Sequence, residues 1–242
     1  MELKNKHILI TGAARRVGRA IADHLLQWDI RLTAHFYRSK KEAQSLVIQA
    51  ETQKRAIFCD SADLREVSEI KSLVEKSQQA LGPIDILINC ASAFYPTPLL
   101  QCSEMQWDDI MQANLKGQFF MAQASAQQMS KRGGLIINIA DTHASIPMKN
   151  YSAYCISKAG LVMMTKQLAL ELAPAVRVNT VSPGPVLWPE DLSASVQEKS
   201  VAQTLLKRMG CPKDVIDAIC FLIQNDYVTG QNLVVDGGRS LV

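Results

Sequence analysis

The chain has 242 residues, 48% of them hydrophobic and 20% charged, which is enough apolar material for a full core and too little polarity for a disordered chain. A net charge of +3 calls for neither nucleic acid nor a membrane surface as partner. No apolar run approaches the roughly 18 residues of a spanning helix, and the opening residues lack the charged-then-apolar layout of a signal peptide, so a cytoplasmic location is expected.

Apolar runs of strand length alternate with stretches of helical period. Strands are expected at His7–Thr11, Arg31–Tyr37, Arg55–Cys59, Ile84–Asn89, Gly134–Ala140, Arg177–Val181 and Leu233–Asp236. Helices are expected at Arg15–Gln27, Lys40–Thr52, Arg65–Ala80, Glu104–Met129, Ser152–Leu172 and Lys213–Gln224. Ser39-Lys40-Lys41-Glu42 reads as a capping box, and Pro212 stands where a first-turn proline belongs. Strict alternation predicts an α/β fold: one doubly wound domain over residues 1–242, with about seven parallel strands and helices on both faces. Ser182–Ala194 reads as a long proline-rich irregular stretch of the kind that covers a site. The six cysteines (Cys59, Cys90, Cys102, Cys155, Cys211, Cys220) form no metal-binding spacing, so no metal is expected, and they read as buried reduced thiols.

The first strand runs into Thr11-Gly12-Ala13-Ala14-Arg15-Arg16-Val17-Gly18 and then a helix. A glycine turn in that context is a dinucleotide fingerprint: Gly12 permits the sharp turn, Gly18 lets helix and strand pack closely, and the helix start faces the pyrophosphate. The second strand ends in His35-Phe36-Tyr37-Arg38-Ser39, with no acidic residue to accept a ribose 2′-hydroxyl. Arg38 and Ser39 offer a cation and a hydroxyl to a 2′-phosphate, with His35 placed to assist, which points to NADPH.

Farther on, Asp141 precedes Tyr154-Cys155-Ile156-Ser157-Lys158. Tyr154 and Lys158 are four residues apart and so share a helix face. Hydride reduction of a double bond needs a proton donor, and a nearby ammonium eases proton release from a phenol whose free pKa is about 10.

These segments resemble the short-chain dehydrogenase/reductase family, with its Rossmann fold, across nearly the whole chain. The resemblance implies that Lys158 also binds the nicotinamide ribose and that Asn114 supports a proton relay. It implies that Asp63 contacts the adenine, that Pro183 and Gly184 meet the cofactor amide, and that Val17, Tyr37, Leu64, Asn89, Ala91 and Ser92 line the cofactor. Two positions depart from the family pattern: Arg16 stands where a glycine is usual, and Asp141 where a serine normally polarises a substrate carbonyl. A carboxylate there would repel charge growing on oxygen, but suits a nitrogen that must be protonated.

With Arg16, the run from His35 to Ser39, Asp141 and the segment Asn89-Cys90-Ala91-Ser92-Ala93-Phe94-Tyr95-Pro96-Thr97-Pro98-Leu99, the chain resembles the pteridine reductase subfamily. So does its end, Val235-Asp236-Gly237-Gly238-Arg239-Ser240-Leu241-Val242. That resemblance implies a pterin sandwiched between Phe94 and the nicotinamide, touched by Arg16, Ser92, Asp141 and Tyr154, and a homotetramer. Where some pteridine reductases place a hydroxyl after the proline-glycine turn, Val186 stands here, and Trp188 is expected to line the pocket. Two rivals are a reductase of ketones or 3-oxoacyl thioesters on the same fold, and a non-catalytic NADPH-binding sensor.

Overall fold

The run before the glycine turn shows how the molecule is layered. Ile8, Leu9 and Ile10 are all fully buried, but Ile8 and Ile10 belong to one apolar cluster and Leu9 to another. Successive strand residues point to opposite faces, so a strand that is apolar throughout must be covered on both sides. The same division recurs at Ile86 and Ile88 against Leu87, and at Leu135 and Ile137 against Ile136.

The structure, a computed structural model, describes residues 2–188 and 193–242. The strands are β1 (Lys6–Thr11), β2 (Ile30–Phe36), β3 (Ala56–Ser61), β4 (Ile86–Asn89), β5 (Gly134–Ile139), β6 (Val176–Pro183) and β7 (Asn232–Val235). All pair in parallel, in the order β3-β2-β1-β4-β5-β6-β7. Helices α1 (Arg16–Leu25), α2 (Lys40–Thr52) and α8 (Pro212–Gln224) cover one face through Ile21, Leu25, Leu46 and Val215. Helices α3 (Val67–Leu81), α5 (Gly117–Arg132) and α6 (Ser152–Leu172) cover the other through Ile70, Leu73, Met121 and Leu161. A short α4 (Glu104–Met111) and an α7 (Ala194–Ala202) complete the set. This is the Rossmann-like architecture expected, and its strand order reverses between β1 and β4. Open parallel sheets bind ligands beyond the carboxyl ends of the strands at such a switch point.

The differences from expectation are local. The helix expected over Glu104–Met129 is interrupted by a π-helical segment, Gln112–Lys116. It occurs just before Gly117, where an added Cβ would lie 2.4 Å from the Leu64 carbonyl oxygen. Hydrophobic periodicity does not register one extra residue within a helix; such bulges concentrate at functional sites. The Ser39 side chain makes no capping bond to α2; a capping box is made instead by Ser103 and Gln106 on α4. The irregular stretch ends at Ser193, because Ala194 opens α7; its acidic pair, Glu190 and Asp191, lies outside the described residues. The cysteines are unpaired as expected, but Cys211 is exposed and the rest are half-buried. Among the described residues no helix is long and apolar enough to cross a membrane.

Candidate active site

The phosphate turn is held from below and from the side. Gly12 has φ +68°, a left-handed conformation that costs glycine little. A Cβ on Gly18 would stand 2.1 Å from the Gly12 carbonyl oxygen, so only glycine allows α1 to start this close to β1. Thr11 Oγ1 accepts from the backbone N–H of Cys90 and Ala91, tying the end of β4 to the turn. His35, expected to assist at the 2′-phosphate, is buried beneath the turn instead. Its Nδ1 accepts from the Gly12 N–H at 3.2 Å, and its Nε2 donates to the Ala62 carbonyl at 2.9 Å. Burial lowers its pKa, so it acts as a neutral brace.

At the far end, Tyr37, Arg38 and Asp63, expected at the adenosine end of a nucleotide, are linked to one another directly or through Arg65. Arg38 lies 4.7 Å from the Tyr37 ring centroid and donates to its hydroxyl at 3.0 Å. No ion pair to a carboxylate is found for Arg38 among the described residues, so its charge is available to an anion. The Asp63 carboxylate is gripped by Arg65, and that hydrogen bonding holds it below the usual carboxylate range. Leu64 is buried, and Val17 packs half-buried on the core under the turn. These residues fit a dinucleotide: a glycine cradle at a helix start, no acid at the end of β2, and an uncompensated cation in its place.

Arg16, in the left-handed region at φ 53°, donates from Nη2 to the Leu187 carbonyl at 3.0 Å. It bridges the turn to the proline-rich stretch. Val186 is buried in the core, and Trp188 is half-buried. Gly184 donates its N–H to the Val235 carbonyl, and a Cβ there would meet Asp236 at 2.7 Å. The residue pair expected at the cofactor amide, Pro183 and Gly184, is thus locked against the chain's last strand.

The corner expected to carry the chemistry is assembled from the end of β5, the loop after β4 and the first two turns of α6. Asp141 follows β5, and its carboxylate is doubly engaged: Oδ1 accepts from the His143 N–H at 2.8 Å, and Oδ2 accepts from the Tyr154 hydroxyl at 2.7 Å. Lys158 is buried, donates to the Ile139 carbonyl at 2.9 Å and lies 5.7 Å from the Tyr154 ring centroid. Burial lowers the Lys158 pKa. The Tyr154 pKa is raised well above 10, by burial first and then by the Asp141 charge and hydrogen bond. Burial first and Asp141 second hold the proton on Tyr154, opposing the release that the neighbouring Lys158 is expected to ease.

Asn114 sits in the π-helical segment, fully buried. Its Oδ1 accepts from the Ala93 N–H and from Ser92 Oγ, and its Nδ2 donates to the Ala93 carbonyl and to Ser157 Oγ. It therefore clamps the loop after β4 to α6. Asn89 at the end of β4 donates to Asn138 Oδ1, while its own buried Oδ1 has no hydrogen-bond partner among the described residues. Phe94 is half-exposed, stacks on Tyr151 (centroids 4.8 Å apart, 16° between planes) and meets the Tyr154 ring edge-on at 4.8 Å. Sequence reasoning missed Tyr151, which precedes the first residue of α6 and meets Phe94 only through the fold.

Asp141, Tyr154, Lys158, Asn114, Ser92 and Phe94 are thus brought together; Arg38, Ser39 and Asp63 mark the opposite end of the crevice. The corner can hold a proton on a buried phenol beside a carboxylate and offer an aromatic ring to a flat ligand. A family model described as enoyl-(acyl carrier protein) reductase matches residues 12–240. The chain is 31% identical to the 3-oxoacyl-[acyl-carrier-protein] reductase FabG of Staphylococcus aureus, covering 96% of this chain and 97% of that one. It is 32% identical to the 2,3-dihydro-2,3-dihydroxybenzoate dehydrogenase of Bacillus subtilis, covering 99% and 97%. A short-chain dehydrogenase/reductase variant from Serratia marcescens superposes with a TM-score of 0.93 at 26% identity, covering 99% of this chain and 100% of that one. With this likeness running from the glycine turn to the last strand, the chain belongs to the short-chain dehydrogenase/reductase family, whose members are NAD(P)-binding oxidoreductases.

Proposed function

We propose that this enzyme reduces pterins with NADPH. The observation that carries the reading is the 2.7 Å hydrogen bond from the Tyr154 hydroxyl to the Asp141 carboxylate, beside the ring of Phe94. A carboxylate at this point opposes a substrate oxygen that becomes anionic, and favours a ring nitrogen that becomes protonated. The glycine turn and Arg38 would hold NADPH, and that group would supply a hydride for the carbon of a pterin C=N bond. Tyr154 gives its proton to the nitrogen, and the Asp141 carboxylate then takes a proton from solvent and passes it to the Tyr154 phenolate. Phe94 offers a ring to the flat heterocycle, and the free charge of Arg38 favours a 2′-phosphate. Dihydropterins, oxidised pterins and dihydrofolate all carry the required bond.

A second reading, reduction of 3-oxoacyl thioesters, is favoured by the named activity of the Staphylococcus aureus relative over nearly the whole chain, and by overall similarity it is the better supported of the two. The test is a side-by-side assay of NADPH oxidation with dihydrobiopterin and with an acetoacetyl thioester. Turnover of the pterin, lost in Asp141→Ser, supports the first reading; turnover of the thioester alone establishes the second.

We also propose that copies of the chain pair through α5 and α6, as in a tetramer. Ile156, Met163 and Leu170 recur every seven residues on α6 and are 48%, 62% and 75% exposed. They flank an apolar groove lined by Leu115, Phe119 and Met164. Sedimentation of wild type against Met163→Glu tests this: a monomeric wild type overturns it.

A further inference from the structure

One guanidinium touches three segments that the chemistry described above leaves unconnected. Arg65 stands just before α3. It donates to both oxygens of Asp63 after β3, with distances of 2.5–3.0 Å. It donates to the Tyr37 hydroxyl beyond β2 at 2.7 Å, and to Asp109 Oδ1 on α4 at 2.6 Å. The other oxygen of Asp109 accepts from the Tyr95 hydroxyl at 2.7 Å. Tyr95 adjoins Phe94 and packs half-buried against Ile110, Ala153 and Tyr154. The path from the adenosine end to the substrate loop is therefore four charged or hydroxylic groups long, with every link a direct hydrogen bond. The planar fork of arginine can make these contacts at once, and a lysine cannot.

We infer that Arg65 is a positioning residue: through Asp63, Asp109 and Tyr95 it couples occupation of the adenosine end of the nucleotide site to the order of the loop carrying Ser92 and Phe94. A nucleotide that settles against Tyr37, Arg38 and Asp63 fixes Asp63, and so the direction of the Arg65 fork. Asp109 and Tyr95 are then held in one arrangement, and the substrate face of the loop is set before substrate arrives. The neighbouring clamp at Asn114 acts on Ala93 and Ser92 from the α6 side. The Arg65 path acts on the same loop from the opposite end of the crevice.

The inference rests on the nucleotide reading but not on the identity of the substrate, so its test uses only half of the cofactor. 2′,5′-ADP carries the adenosine and the 2′-phosphate and lacks the nicotinamide. Its affinity is measured by calorimetry, and amide hydrogen exchange is followed in residues 93–103, with and without it. In wild type the nucleotide slows exchange in this loop about fivefold, the low end of ordinary site-to-site coupling. Tyr95→Phe keeps its ring packing and binds 2′,5′-ADP as wild type does, but shows no slowing in the loop. Arg65→Lys keeps the charge, loses the fork, and likewise loses the slowing. Loop protection equal to wild type in Tyr95→Phe, or absent in wild type although 2′,5′-ADP binds, overturns the inference. Failure of 2′,5′-ADP to bind wild type overturns the 2′-phosphate reading and the inference with it.

Discussion

The two ends of the crevice are built from different materials. The phosphate turn is a backbone construction: Gly12 and Gly18 contribute by lacking side chains, and the neighbours Thr11 and His35 act by bonding to main-chain N–H groups. The reducing corner is a side-chain construction, in which Asp141, Tyr154, Lys158 and Asn114 each make a specific contact through their own functional group. A backbone site fails when atoms are added, whereas a side-chain site fails when one functional group is exchanged for another of the same size.

The sharpest way to break this contrast is Tyr154→Phe, which removes one oxygen. It is expected to lower kcat by roughly 10²–10⁴-fold, the usual worth of a positioned proton donor, with the melting temperature nearly unchanged. At the other end, Gly18→Ala adds one carbon where 2.1 Å is available. It is expected to cost about 1–3 kcal/mol of stability, as overpacking does, and to weaken nucleotide binding; denaturant melts and nucleotide titration measure both. Arg38→Ala removes a charge-assisted contact worth about 1.5–3 kcal/mol. The preference for NADPH over NADH is expected to fall by roughly ten- to a hundredfold, read from kcat/KM with each nucleotide; an unchanged preference would place the 2′-phosphate elsewhere.

The smallest expected change sharpens the comparison. The Asp141 charge and hydrogen bond both raise the Tyr154 pKa, so the phenol keeps its proton past pH 10, and activity that needs this proton persists on the alkaline side. Asp141→Asn removes the charge together with the proton relay, so the effect is read on the turnover that remains. The Tyr154 proton is then lost at lower pH, and the alkaline fall in kcat/KM is expected to move down the pH axis. A profile that does not move would mean that burial alone sets the phenol.

How much of this was legible beforehand follows the same division. The glycine turn, the absence of an acid after β2 and the tyrosine–lysine spacing were all readable, because each is a local pattern with a fixed geometric meaning. The fate of His35 was not. A histidine at a strand end can face the cofactor or the core, and the Ala62 carbonyl beneath it decided for the core. The balance of forces on the Tyr154 proton was not readable either, for a related reason. Spacing places Lys158 near the phenol, but the distance of Lys158 and the 2.7 Å contact of Asp141 set the balance.

The sequence by itself determined the parallel α/β architecture, because runs of isoleucine, leucine and valine between amphipathic stretches can be buried only in a sheet covered on both faces. It also picked out the glycine turn between β1 and α1 and the Tyr154–Lys158 pair, whose spacing along single elements is preserved in any fold of that class. Only the tertiary structure decided the π-helical interruption at Asn114, the stacking of Phe94 on Tyr151, and the path from Asp63 through Arg65 and Asp109 to Tyr95. Each of these joins elements far apart in the chain, and hydrophobic period and local propensity carry no record of which side chains meet across such distances.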